Sequence, residues 1–193
     1  MWHDCDLGGE FFLFLFWIDQ QIAEQIRAAG CFCGGRLHRS NFARKPRGLP
    51  QQAEESFSSR FSFCCDRKGC RTRCTPPSVR FLGRRVYVGA VVVLACVLMQ
   101  HAETDPSHPP PCADQVPIRT VRRWSRWWQT AFIASSLFKS ERGRFMPPVS
   151  IERMPGSILE RFGGTDSEKL TMMLWWLSPL STESYRSSFV MVR

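Results

Sequence analysis

The sequence predicts an α+β fold, a small β unit followed by a mainly helical chain, on three observations. Two tight cysteine clusters, Cys31-Phe32-Cys33 and Cys64-Cys65-Asp66-Arg67-Lys68-Gly69-Cys70, enclose and adjoin short stretches of alternating polarity, the pattern of half-buried strands. Beyond residue 84 the apolar residues instead fall in long runs or at helical spacing. The proline pairs Pro76-Pro77 and Pro147-Pro148 stop elements on either side of that region. With 193 residues and 44% hydrophobic content, the chain is long enough to bury a core.

Residues 1–30 open with Phe11-Phe12-Leu13-Phe14-Leu15-Phe16-Trp17-Ile18, as apolar as a signal-peptide core. Acidic residues precede this run and no small-residue cleavage site follows it, so it reads as uncleaved. Ile18, Ile22 and Ile26 then recur every four residues, with Asp19, Gln20, Glu24 and Arg27 on other faces. This spacing predicts an amphipathic helix ending near Gly30. In residues 31–83, Leu37 to Ala43 reads as a short strand and Lys45 to Pro50 as a loop. Ser59 to Cys65 alternates, with Phe61, Phe63 and Cys65 on one face, and Arg71 to Thr75 forms a last strand before the prolines.

Residues 84–145 start with an apolar segment, Arg84 to Gln100, expected to be a buried helix; its valines keep a strand as the competing reading. The longest apolar run, Val86 to Met99, has fourteen residues where a bilayer needs about twenty, so no membrane span is expected. Arg84 and Arg85 leave an interfacial anchor as the alternative. Pro106, Pro109, Pro110, Pro111 and Pro117 make 103–117 a linker. A helix follows from Ile118 to Phe138, with Trp124, Trp127 and Trp128 on one face and Arg122, Arg123 and Arg126 mostly off it. Residues 146–193 form a carboxy-terminal helical region. A short helix near 156–162 ends at Gly163-Gly164, and Thr165-Asp166-Ser167-Glu168 has capping-box spacing that starts a helix running to about Leu177.

Charge is unevenly distributed. The formal net charge is +9, yet residues 1–30 carry five acids against Arg27. Residues 34–85 carry thirteen Arg or Lys against Glu54, Glu55 and Asp66, and residues 116–144 carry seven against Glu141. Cationic segments of this density suit the phosphate backbone of DNA, because each Lys or Arg that meets a phosphate releases condensed counterion.

Nine cysteines is an odd number, and their grouping is that of a metal site in a reducing cytosol rather than a disulfide framework, so a cytoplasmic location is expected. Two knuckles delivering two thiolates each would bind zinc tetrahedrally, as in a zinc ribbon. Glycine at a knuckle suits its unusual backbone angles, and Cys33-Gly34-Gly35 and Gly69-Cys70 both supply it. Cys31, Cys33, Cys65 and Cys70 are the expected ligands, with Cys64 and Cys74 as substitutes and His38 as a distant one. The single residue between Cys31 and Cys33 is expected to strain the first knuckle. Neither cluster has the two-residue spacing of thioredoxin-like redox sites.

The stretch from Cys31 through Cys70, and on through Arg71-Thr72-Arg73-Cys74-Thr75-Pro76-Pro77-Ser78-Val79-Arg80-Phe81-Leu82-Gly83 to the apolar helix, resembles the amino-terminal zinc ribbons of insertion-sequence transposases. In those proteins a Thr-rich turn, a short linker and a hydrophobic helix follow the ribbon. Val116-Pro117-Ile118-Arg119-Thr120-Val121-Arg122-Arg123-Trp124 looks like the turn and recognition helix of a helix-turn-helix. The resemblance covers roughly residues 31–130 and implies a zinc-ribbon domain followed by a helix-turn-helix-like segment. Arg119, Thr120, Arg122, Arg123 and Arg126 would then face DNA, while Arg44, Lys45, Arg47, Arg71 and Arg73 would neutralise phosphates.

A transposase of that kind also needs spaced carboxylates holding two metal ions, and the few acids after residue 114 do not provide that fold. His3, His38, His101 and His108 are scattered, Tyr87 and Tyr185 lack a nucleophile's setting, and no phosphate-cradling glycine motif or serine elbow occurs. The expectation is therefore a non-catalytic zinc-ribbon DNA-binding protein, linked to a mobile element or to transcriptional regulation. The alternatives are a protein-interaction adaptor for a transposase or recombinase, docking through Phe11 to Trp17 or Trp175-Trp176, and a degraded mobile-element fragment.

Overall fold

The computed structural model describes residues 7–83, 85–104 and 116–182. Most of the proline-rich 103–117 segment, along with Arg84, His3, His108 and Tyr185, lies outside the described residues. The fold is α+β, with short antiparallel strands in the first half and packed helices in the second.

Helix α1 (Gly9–Ala29) takes in the whole aromatic run as well as the predicted isoleucine repeat and stops at Gly30, whose φ of 75° suits glycine. Phe12, Leu15, Ile18, Ile22, Ala23 and Ile26 are buried. So is Asp19, which the sequence reading set among the polar faces. Its spacing explains the correction: four residues after Leu15, seven after Phe12 and three before Ile22 place it on the buried stripe itself.

The strands are shorter than predicted. The expected Leu37–Ala43 strand is split into β1 (Leu37–Arg39) and β2 (Phe42–Ala43), and Ser59–Cys65 into β3 (Ser59–Arg60) and β4 (Phe63–Cys65). Both breaks fall opposite one another. There the Ser40 N–H donates to the Ser62 carbonyl (2.7 Å), and the Asn41 side-chain oxygen accepts from the Ser62 N–H (3.2 Å). One long hairpin thus bends into two small sheets: β2 pairs with β3, while β1, β4 and β5 (Arg73–Cys74) form a three-stranded antiparallel sheet with β4 central. Leu37 lies opposite Cys65 and Phe63 opposite Cys74. A short helix, α2 (Glu54–Phe57), crosses from β2 to β3 and packs on α1.

The apolar segment is a buried helix, α3 (Gly89–Thr104), which begins later than predicted. Residues 86–88 are held extended because the Arg47 N–H donates to the Val86 carbonyl (2.9 Å) and the Val88 N–H to that of Arg47 (3.3 Å). Val92, Val93, Cys96 and Val97 are fully or almost fully enclosed, and α3 packs against α4 (Ile118–Trp127), α6 (Gly156–Leu159) and α7 (Asp166–Leu177). No helix among the described residues is long and apolar enough to cross a membrane.

The predicted helix from Ile118 to Phe138 is broken. After α4 the chain widens into a π turn at Trp128–Phe132 and restarts as α5 (Ser136–Glu141). Ser135 is the cause of the restart, since its hydroxyl accepts from the Phe138 N–H (3.2 Å) in an extended N-cap conformation that a continuous helix forbids. The rings of Trp127, Trp128 and Phe132 meet within 5.5 Å of one another and fill the turn. The capping box at Thr165 and Glu168 and the last helix match the prediction, with both reciprocal hydrogen bonds formed.

Buried apolar residues from α1, the strands and the later helices join in one contiguous core. At its heart Arg80 and Asp19 are an ion pair with no solvent exposure (2.7 Å). Asp19 also accepts from the Val79 N–H (2.8 Å) and the Ser78 hydroxyl. The Arg80 guanidinium donates to the Ser56 carbonyl and lies about equally close to the rings of Phe16, Phe57, Phe61 and Phe81. Arg60 is buried beside it, donating to Pro76 and Ser181, and burial lowers its pKa to about 10, with Asp19 opposing the shift and Arg80 adding to it.

Candidate metal centre

Two turns converge at one end of the three-stranded sheet. The first leaves α1 at Gly30, where the Cys31 carbonyl accepts from the Gly34 N–H (2.8 Å) and the Cys31 N–H donates to the Gly35 carbonyl (2.9 Å). The second runs from the end of β4, where the Cys70 N–H donates to the Arg67 carbonyl (3.1 Å) and Gly69 takes a φ of 84°. Antiparallel pairing of β1 with β4 holds the turns together, and the Asp66 N–H donates to the Arg36 carbonyl (3.1 Å).

The result is that Cys31, Cys33, Cys65 and Cys70 bring four sulfurs within 4.8 Å of one another. Cys31 and Cys70 are 3.7 Å apart at sulfur, Cys33 and Cys65 3.5 Å. A tetrahedral ion bonded to four thiolates at about 2.3 Å requires sulfur separations of about 3.8 Å, so the observed set is already near that arrangement. These four cysteines could hold a metal ion. Despite their one-residue spacing, Cys31 and Cys33 both bring their sulfurs within 4.8 Å of those of Cys65 and Cys70.

The surroundings pull the thiols in opposite directions, lowering the pKa of Cys70 and raising those of Cys31 and Cys65. Backbone N–H groups two residues on, those of Cys33, Arg67 and Thr72, donate to the sulfurs of Cys31, Cys65 and Cys70 respectively. The Thr72 hydroxyl lies 3.1 Å from the Cys70 sulfur, and this contact, with the Thr72 N–H and Cys33, lowers the Cys70 pKa to about 6. Cys65 moves the other way: the Arg67 N–H lowers its pKa, but burial and the thiols of Cys33, Cys31 and Cys70 together push it up to about 12. A divalent ion removes that crowding of protons, and its uptake releases them.

Close approach is built in at Gly35. A Cβ there would stand 2.6 Å from the Cys65 sulfur, so no side chain fits beside the four sulfurs. Around the four sulfurs, Asp66 accepts from the Arg36 N–H (2.9 Å) and meets His38 Nε2 (3.3 Å), while the Arg67 guanidinium donates to the Cys33 carbonyl and ties the knuckles together.

The suggested substitutes stand outside the site. Cys64 lies on the opposite face of β4 from Cys65, its sulfur 3.7 Å from the Arg71 carbonyl. Cys74 is partly buried, and burial raises its pKa. His38 is engaged with Asp66.

The basic residues singled out in the sequence fall in two places. Lys45, Arg47, Arg71 and Arg73 are exposed around the strands, and Arg73 donates to the Ser40 hydroxyl (3.2 Å). Arg44 is only partly exposed; it donates to the Arg85 carbonyl (2.8 Å) and lies 5.0 Å from the Phe81 ring. On α4, Arg119, Arg122, Arg123 and Arg126 are exposed and Thr120 half-buried, whereas Val121, Trp124 and Trp128 are enclosed. Spacings of three and four place the four arginines on one face, and none forms an ion pair among the described residues. The helix-turn-helix reading pairs α4 with a helix three or four residues before it; α3 packs on α4, but residues 105–117 separate the two.

Sequence reasoning missed the Asp19–Arg80 pair, which no local pattern marks, and the tight approach at Gly35. Thr72, two residues beyond Cys70, is a signal that spacing could have supplied. No protein-family model matches the chain, and neither does any curated protein or solved structure.

Proposed function

We propose that the protein is a non-catalytic, cytoplasmic DNA-binding protein whose ribbon is folded by one zinc ion, serving a mobile element or transcriptional regulation. Zinc is the metal that fits four thiolates at tetrahedral spacing, and a site closed by four protein ligands leaves no position for substrate, which suits a structural role. The observation that carries DNA binding is the exposed arginine face of α4, which forms no ion pair among the described residues. Buried Val121, Trp124 and Trp128 fix the helix, so Arg119, Arg122, Arg123 and Arg126 are presented together to solvent. An arginine that reaches a guanine edge bidentately contributes about 1–3 kcal/mol of discrimination, and Lys45, Arg47, Arg71 and Arg73 supply phosphate contacts.

Fluorescence anisotropy with labelled duplex across a salt series tests this. Binding should weaken steeply with salt, Arg47→Ala and Arg71→Ala should each reduce the log–log slope by about 1, and Arg122→Ala and Arg123→Ala should relax discrimination between duplex sequences. Salt-insensitive binding, or none, contradicts the proposal.

One observation favours the adaptor reading as a second: Leu13, Phe14 and Trp17 form an exposed apolar stripe on α1, the last two rings stacked at 6.0 Å. Association with a transposase or recombinase through this stripe would tolerate salt and be lost in Trp17→Ala.

A further inference from the structure

Phe32 is the residue between the first two metal-site cysteines, and it is 87% exposed. Its position is unusually constrained for so open a side chain. Both neighbours in sequence belong to the four-sulfur cluster, and the turn is closed by the Gly34 N–H on the Cys31 carbonyl and the Cys31 N–H on the Gly35 carbonyl. The ring therefore stands outward on a backbone that need not be ordered on binding. Three cations lie on the two turns. Arg67 reaches the Cys33 carbonyl next to Phe32, and Arg36 and Lys68 are exposed on the same pair of turns. Asp66, the one acid of these turns, is engaged by the Arg36 N–H and His38.

An exposed aromatic face on a closed turn, with cations on the same pair of turns, suits a flat π surface attached to a phosphate. Blunt duplex offers phosphates, but its bases are stacked on one another; single-stranded nucleic acid offers both, and base–aromatic stacking is indifferent to sequence. Resting on the DNA-binding reading above, we infer that Phe32 is a stacking platform for an unpaired base, so that the metal knuckles engage single-stranded DNA while α4 engages duplex.

The test is anisotropy of two labelled probes, oligo-dT and a blunt duplex, with the full-length zinc-loaded protein at one salt concentration. Phe32→Leu keeps an apolar side chain but removes the π face; it should weaken oligo-dT binding about 5- to 150-fold, the equivalent of one base–aromatic stack, and leave duplex binding and zinc content unchanged. Phe32→Tyr should bind oligo-dT like the wild type. Three results overturn the inference alone: Phe32→Leu matching the wild type on oligo-dT, Phe32→Leu weakening both probes equally, or Phe32→Tyr failing as Phe32→Leu does. Salt-dependent duplex binding would still stand in each. Absence of binding to both probes overturns this inference together with the DNA-binding reading.

Discussion

Asp19 and Arg80 show how single residues decide the architecture. Each is a charge with no solvent exposure, and each makes sense only through the other, sixty-one positions apart in sequence. Their pair, with Ser78, Val79 and Ser56, pins α1 to the segment after the ribbon and to the end of α2. Removing one partner leaves the other buried and uncompensated, so Asp19→Ala should destabilise the protein by about 3–5 kcal/mol. The double change Asp19→Leu with Arg80→Met should recover much of this, and urea unfolding of Asp19→Ala, Arg80→Met alone and the double variant reads both effects. A double-variant loss equal to the sum of the two single losses would show that the pair is not coupled. The sequence could not disclose this pair, because helical spacing places Asp19 on the buried stripe but says nothing of where a partner lies. The four clustered cysteines were legible for the opposite reason, since paired cysteines with a glycine beside them are a local pattern.

Among the elements, α7 was predicted to its ends because its start is a local reciprocal cap, whereas the helix from Ile118 was not. Its periodicity runs through Phe138, but the Ser135 cap and the crowded tryptophan turn interrupt the backbone at a level that hydrophobic spacing does not record. The strands were located correctly and drawn too long, for alternation continues across the Ser40-Asn41 and Phe61-Ser62 breaks where the regular ladder gives way to a bend. In α4 the two faces carry separate duties. Trp128 is fully enclosed among Trp127, Phe132 and the core, so Trp128→Ala should cost about 3–5 kcal/mol of stability. Arg122→Ala, on the open face, should alter stability by no more than about 0.5 kcal/mol. Thermal or urea denaturation of the two variants compares them directly, and a large loss in Arg122→Ala would mean that the arginine face is structural.

At the scale of the whole molecule, the ribbon is not an appendage. Leu37, Phe63 and Cys65 belong to the same contiguous core as α1 and the α3 helix, so the state of the four sulfurs bears on the stability of the entire chain. The site sits where that core meets the surface, with Cys65 buried and Cys31, Cys33 and Cys70 partly open, and the basic residues of both halves lie outside it. Zinc would thus fold the scaffold that displays the cations. The direct test is the metal content of the purified protein at neutral pH, measured together with circular dichroism. About one zinc per chain is expected, retained in Cys64→Ser and Cys74→Ser and lost, with the fold of the ribbon, in Cys33→Ser and Cys70→Ser. A folded preparation without zinc, or zinc retained after both ligand substitutions, would contradict the account.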